Sequence, residues 1–450
     1  MQPPSRGHLA PSWRSWYDCK QSTCDRRIGR SIARLAEIPM FKTFQFTGKC
    51  MIGCALALIM VVLSGNARAQ SYTVLHDFTG PPADGVTHGE GVIADGAGNL
   101  YGTTYFGGSK DCYCGVVFKV ATDGTETALY EFKGGGDGAG PLGGLVADQM
   151  VNLYGTTQYG GGTGCTGGDF AGCGTIFKLE PDGTETVLYS FGDGSHGASP
   201  QGALIEDTAG NLYGTAYHGG AKGDGTVFRL ASDGTFTVLH SFKGGTDGSN
   251  PAGGVIADAA GNLYGTTING GNHSLGTVFR ISAGGGEKKL YSFAGSPKDG
   301  ANPAASLFLD ASGSLYGTTE LGGFGGYGTV FKIAPDGTES VLYSFANSFY
   351  GVEGAVPSGG LVADQAGNFY GVTDSGGPTA GGVLYKLAPD GTETVLHTFR
   401  IKSNGRDPTG TLLMNTSGAI YGTAAVGGTS NCKQIHDRRN RCGVVFEFHS

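Results

Sequence analysis

Along this chain, β-branched, aromatic and aliphatic residues gather in short runs of five or six, and Gly, Asp and Asn clusters separate the runs. Around Tyr264 the runs are residues 254–258, 262–267, 276–281 and 288–293. Such runs predict strands joined by turns, and no stretch of helical period competes. The second run contains Tyr-Gly followed by Thr or Val, and it recurs in register at Tyr101, Tyr154, Tyr213, Tyr264, Tyr316, Tyr370 and Tyr421. Matching tripeptides at Tyr327 and Tyr350 fall out of register. The third run recurs seven times as well, from Gly115-Val116-Val117-Phe118 to Gly443-Val444-Val445-Phe446. Repetition on this scale points to a propeller, a solenoid or an array.

The two ends decide among these. Tyr72-Thr73-Val74-Leu75-His76-Asp77-Phe78 matches the fourth run of other units, such as Thr186-Val187-Leu188-Tyr189-Ser190-Phe191, and Ser450 follows a third run. One unit is therefore split between the termini. An open solenoid gains nothing from that split, whereas a closed ring is zipped by it and loses two exposed edges. The fold predicted is all-β: a seven-bladed β-propeller with four antiparallel strands per blade, closed by the N-terminal strand joining the C-terminal blade. Turns such as Asp258-Ala259-Ala260-Gly261-Asn262 and Pro389-Asp390-Gly391-Thr392 join strands one to two and three to four. Their Asp residues fit Asx-type hydrogen bonds better than calcium coordination. Strands two to three and four to the next blade are joined by longer, variable loops. These share one face, where a site is expected.

Gly accounts for 85 of 450 residues and is spread in period with the turns, so the composition is that of a folded repeat protein. The N-terminal region lies outside the repeat. Lys42 and Lys49 precede an apolar run over residues 50–63, and Ala67-Arg68-Ala69 has the small-x-small form of a signal peptidase site. Residues 40–69 are expected to be a signal peptide, residues 1–39 an upstream extension from a misplaced start, and residues 70–450 a single propeller domain. The apolar run is shorter than the roughly 20 residues of a membrane span. The first 69 residues hold 10 of the 30 Lys and Arg and 3 of the 38 Asp and Glu, leaving 20 against 35 and a net of −15. That balance argues against nucleic acid and anionic membrane as partners. Oligomeric state is not encoded in any legible feature.

Six cysteines lie in the repeat region, paired within three loops between strands two and three: Cys112 and Cys114, Cys165 and Cys173, Cys432 and Cys442. The last two pairs are expected to be structural disulfides of an oxidising compartment. A bond between Cys112 and Cys114 would be strained by their spacing.

The tandem elements Gly-Asn-Leu-Tyr-Gly-Thr, Gly-Thr-Val-Phe and Asp-Gly-Thr-Glu-Thr-Val-Leu-Tyr-Ser-Phe resemble the bacterial extracellular repeat family of choice-of-anchor tandem repeat GloVer-containing proteins, over residues 71–450. The resemblance implies a secreted or surface β-propeller and brings no established biochemical activity. Members are named for C-terminal anchors. This sequence stops inside its last blade, so a soluble exported form, periplasmic or extracellular, is expected. A looser likeness of Asp-x-x-Gly-Asn-Leu-Tyr to NHL-type, lactonase and lyase propellers concerns a turn and a strand and transfers fold only.

Two functional classes remain open: a binding or scaffold propeller that recognises an extracellular glycan, peptide or protein through its variable-loop face, and a propeller enzyme, a metal-dependent lactonase-like hydrolase or a lyase, with an axial site. Most innermost positions are small, as at Gly143-Gly144 and Gly253-Gly254, and His88 and Glu90 of the first blade are the exceptions. Binding is therefore favoured over catalysis, and no catalytic residue is assigned. The inter-blade loops repeat Asp-Gly-x-x-Pro at Asp137, Asp247 and Asp299, with Asp84 in a related loop. These carboxylates either make turns before Pro or, if they converge, gather a calcium ion.

Overall fold

The computed structural model describes residues 70–81, 84–162, 164–165, 171–346, 351–400, 404–428 and 442–450. The expected leader, residues 1–69, and Cys432 lie outside the described residues. The first blade is an antiparallel sheet of Gly85–Ala94, Leu100–Gly107, Val116–Val120 and Glu126–Glu131. Blades 2 to 6 repeat this order over residues 146–190, 205–241, 256–292, 308–344 and 362–398. Blade 7 takes Arg406–Met414, Ile420–Val426 and Val444–His449 from the C-terminal end, and Ser71–Asp77 from the N-terminal end. The last two strands pair antiparallel from Ser71↔His449 to Asp77↔Val444. The split unit predicted from sequence thus closes a ring.

The repeated residues explain the blade. In each fourth strand a bulge leaves one residue unpaired, and it is always the Leu of the Val-Leu-Tyr-Ser-Phe element or its variants, as with Leu290 between the Val278↔Tyr291 and Phe279↔Lys289 pairs. A bulge sharpens the local twist and re-aims the side chains beyond it. The Phe at the end of each fourth strand then packs edge-to-face on the third-strand ring of the next blade. Seven such pairs circle the ring: Phe132 with Phe177, Phe191 with Phe228, Phe242 with Phe279, Phe293 with Phe331, Phe345 with Tyr385, Phe399 with Phe446, and across the closure Phe78 with Phe118. Centroids lie 5.0–5.4 Å apart, within the range in which aromatic pairs contribute beyond area burial. These are inter-blade core residues, as expected. The second-strand Gly makes room for the third-strand ring: a Cβ on Gly265 would lie 2.6 Å from Phe279 Cζ.

The innermost strands differ from expectation. Only two residues form a ladder in blades 2 to 6, for example Ile256–Ala257, although the sequence pattern predicts five in blade 4. The preceding small residues instead press their backbones against the neighbouring blades. A Cβ on Gly202 would stand 2.3 Å from the Gly254 nitrogen, and one on Gly253 would stand 2.7 Å from the Ala305 carbonyl carbon. Their carbonyls are taken across the junction by the Thr that comes after Tyr-Gly: Thr215 Oγ1 donates to the Gly253 oxygen at 3.0 Å and Thr318 Oγ1 to the Gly359 oxygen at 3.0 Å. Hydrogen bonding is thereby diverted from within the blade to between blades.

The Tyr of the motif closes a clasp. Asp258 Oδ1 accepts the Ala260 and Asn262 amides, and Oδ2 accepts Asn262 Nδ2 at 2.7 Å and the Tyr264 hydroxyl at 2.9 Å. Burial opposes ionisation of Asp258, but the bonds from Asn262, Tyr264 and Ala260 outweigh it and hold the carboxyl below its usual range. The recurrent Asp is therefore a structural acceptor. Asp258→Ala removes four hydrogen bonds from one turn and is expected to lower stability by about 1–2 kcal/mol, read as a lower urea midpoint with an unchanged slope. An unchanged midpoint would remove the clasp from the account of stability.

Candidate functional site

Because the second strands run in one direction around the ring, their ends emerge on one face, together with the variable loops. The residue just after each Tyr-Gly-Thr-Thr run or its variant stands at the mouth of this face: Tyr105, Gln158, Tyr217, Ile268, Glu320, Asp374 and Ala425. All seven are half-buried. Five are clamped by their amides to the inter-blade loop. Gln158, Tyr217, Ile268, Glu320 and Asp374 donate to the carbonyls of Gly140, Ser199, Asn250, Asn302 and Val356, at 2.9–3.2 Å. The last four of those acceptors hold φ between 54° and 60° and precede a proline. Side-chain-bearing residues rarely adopt this conformation, and such strain gathers at functional surfaces.

The mouth is chemically asymmetric. Burial, and then the negative charge of Asp374, raises the Glu320 carboxyl above its ordinary range. Asp374 Oδ2 accepts the Ser375 hydroxyl at 2.9 Å. Elsewhere in the ring Tyr105 and Tyr217 present aromatic surface, and the Tyr217 carbonyl accepts Asn250 Nδ2 at 3.1 Å. The mouth therefore carries acidic, amide and aromatic groups on a rigid frame. Sequence reasoning did not single out this position. Its signal was there, since residue chemistry changes from copy to copy immediately after a near-constant motif.

The acidic residues of the inter-blade loops lie elsewhere, at the blade junctions on the outer strands. Asp84 accepts the Thr79 and Gly85 amides at 2.6 and 2.7 Å. Asp137 accepts the Tyr130 hydroxyl and the Lys133 amide, both at 2.9 Å, and Asp299 likewise takes the Tyr291 hydroxyl and the Ala294 amide. Asp247 accepts the Lys243 amide at 2.9 Å and faces His240 Nε2 at 3.3 Å. Each serves its own junction. Among the described residues, no group of three or more close His, Cys, Asp or Glu contains two of them, so the four carboxylates do not gather around one ion. In all four loops the Asp side chain accepts a backbone amide four or five residues upstream, from Thr79, Lys133, Lys243 and Ala294 in turn.

A third polar group completes each of these junctions. Glu126, Glu185, Glu287, Glu339 and Glu393 begin five fourth strands, and each has a buried Oε1 with no hydrogen-bond partner. Glu185, Glu339 and Glu393 face Tyr130 with Asp137, Asp299, and Glu353 respectively. The two remaining junctions carry stacked rings instead: Tyr189 lies on Phe236 and Tyr72 on His397, both at 3.8 Å and 6°. Glu90 stands apart on the innermost strand. Its amide donates to the Leu142 carbonyl at 2.8 Å, and burial pushes its carboxyl up to about 8 against the Ala203 amide. The side chain of His88 lies outside the described residues.

Cys112 with Cys114 and Cys165 with Cys173 are disulfide-bonded. Cys442 is disulfide-bonded as well; its expected partner, Cys432, is outside the described residues.

The sequence profile of the Gloeobacter/Verrucomicrobia repeat matches residues 61–206, 162–306 and 203–436, which span most of the chain. The chain belongs to this family. No curated protein matches this Gloeobacter/Verrucomicrobia repeat protein in sequence. Among solved structures it is similar to a streptogramin B lyase (TM-score 0.55, 15% identity, covering 84% of this chain and 97% of that one). It is also similar to virginiamycin B lyase from Staphylococcus aureus (0.55, 12%, 85% and 99%). A third likeness is to PorZ, a surface component of the type-IX secretion system of Porphyromonas gingivalis (0.50, 15%), of which it covers 47%. At such identities the likeness establishes the propeller fold of the repeat protein and nothing of its chemistry. No helix among the described residues is long and apolar enough to cross a membrane.

Proposed function

We propose that this repeat protein is an exported binding propeller whose mouth, formed by Tyr105, Gln158, Tyr217, Glu320 and Asp374, recognises an extracellular glycan, peptide or protein, with a glycan the best chemical fit. The observation that carries this reading is the variation of one repeat position between aromatic, amide, acidic and aliphatic side chains, on a frame that is clamped by the inter-blade loop at five of its seven copies. Flat aromatic faces beside planar amide and carboxylate groups suit a sugar ring, which offers apolar C–H faces and hydroxyl edges. Variation of single positions on a rigid scaffold is how loop-bearing folds acquire binding. Export is supported by the signal-peptide pattern, by two disulfides in the blades, and by the likeness to surface and extracellular proteins such as PorZ. An axial enzyme has less support, because the inner-strand positions equivalent to Glu90 are mostly small in the other blades, as at Gly144 and Gly254.

Screening an oligosaccharide array with the purified protein tests the proposal. Tyr105→Ala and Tyr217→Ala, away from the Phe ring, are each expected to weaken the best ligand at least tenfold, about 1.4 kcal/mol, with little change in melting temperature. Asp374→Asn should change which sugars are preferred. Binding that is indifferent to all three substitutions would place recognition elsewhere.

A further inference from the structure

We propose that two blade junctions bind a divalent transition-metal cation of the zinc class: His76, Asp84 and Glu126 between blades 7 and 1, and His240, Asp247 and Glu287 between blades 3 and 4. In each, one imidazole nitrogen and two carboxylate oxygens come within 4.8 Å of one another. Ligands bound to zinc at about 2.0–2.2 Å in a tetrahedron stand roughly 3.3 Å apart. His240 Nε2 and Asp247 Oδ2 are 3.3 Å apart, and His76 Nε2 and Asp84 Oδ2 are 3.7 Å apart. Small side-chain rotations would therefore complete the set, leaving one position for water.

The second observation is the unmet demand of these atoms. His76 Nε2, Glu126 Oε1 and Glu287 Oε1 are shielded from solvent and take no hydrogen bond. Buried polar atoms of this kind are costly unless something satisfies them. Comparison within the ring shows what the histidines change. At the equivalent position Tyr130 and Tyr291 donate their hydroxyls to Asp137 and Asp299 at 2.9 Å. A phenol can meet the aspartate's demand only with a proton; an imidazole at the same place can do so with Nε2–H or, once that proton is displaced, turn a lone pair to a metal ion. The aspartates are already oriented by backbone amides, Thr79 and Gly85 for Asp84 and Lys243 for Asp247, as outer partners orient metal ligands elsewhere. Imidazole with carboxylates favours zinc-class ions over calcium, which takes oxygen ligands. The first site ties the N-terminal strand to blade 1, where the ring closes.

The test uses the full-length chain, stripped with chelator and titrated with Zn2+ by calorimetry and with Co2+ by visible absorption. Two ions per chain are expected. His240→Tyr should take up one, and His76→Tyr with His240→Tyr neither, while melting of the metal-free protein holds because the ring itself uses Tyr at this position. Glu126→Gln and Glu287→Gln, which leave both histidines, should each raise the Kd of their own site at least tenfold. Zn2+ should raise the melting temperature of the wild type and not of the double Tyr variant. No uptake, uptake unchanged in the double variant, or a preference for Ca2+ would overturn the proposal.

Discussion

A chain lacking residues 71–78 is expected to lose on the order of 5 kcal/mol or more of stability and to melt about 6 °C lower or more, if it folds at all. Phe78 is fully buried against Phe118, Val74 packs on the cluster between blades 6 and 7, and Leu75 packs on that between blades 7 and 1. Each buried apolar side chain of this size contributes about 1.5–3 kcal/mol. The deletion also strips the backbone partner from Val444–His449, which becomes an exposed strand edge, and it opens the seventh of seven aromatic pairs. The remaining six pairs then no longer close on themselves. Thermal melting followed by circular dichroism reads the outcome, and hydrogen exchange should show protection lost first in blades 1 and 7. A truncated chain that melts with the wild type would mean that closure is not what holds the ring.

Much of this architecture was legible in the repeat. Strand types, their number and the split unit come from the runs around Tyr264 and from the likeness of Thr73-Val74-Leu75 to Thr186-Val187-Leu188, because a strand's composition is a local property. The innermost strands were over-predicted, since nothing local in Gly253-Gly254 says that its carbonyls serve the next blade. The site was the least legible. Asp84, Asp137, Asp247 and Asp299 share a motif and so looked like one set, but a ring puts equivalent residues as far apart as its blades. The residues that gather at a junction come from non-equivalent positions, such as the fourth-strand His240, the loop Asp247 and the next blade's Glu287. Only the bulge at each Leu and the circular order bring such residues together.

The carboxyl pairs at the Tyr-bearing junctions should make stability fall as pH rises. Burial pushes Glu185, Glu339 and Glu393 from 4.5 up to about 7, and the neighbouring Asp137, Asp299 and Glu353 add to the shift; Lys133 and Tyr130 counter it at Glu185. A carboxyl raised on folding binds its proton more tightly in the folded chain. Its contribution is therefore fully present below about pH 4.5 and is lost as pH climbs through about 7. Solvent screening at these half-exposed sites leaves about 1 kcal/mol for each, about 3 kcal/mol together. His397 works the other way: burial, with the Arg400 charge, lowers it from 6.5 to about 4, so its contribution rises with pH across that interval. Substituting Glu185, Glu339 and Glu393 by Gln isolates the carboxyls, since an amide mimics the protonated group and leaves His397 untouched. The triple variant is expected to come close to the wild type at pH 4, below the unfolded carboxyl range, and to exceed it at pH 8 in urea unfolding. Parallel pH profiles for the two would show that these glutamates ionise without cost, and that the orphaned oxygens at the junctions are satisfied in solution by water.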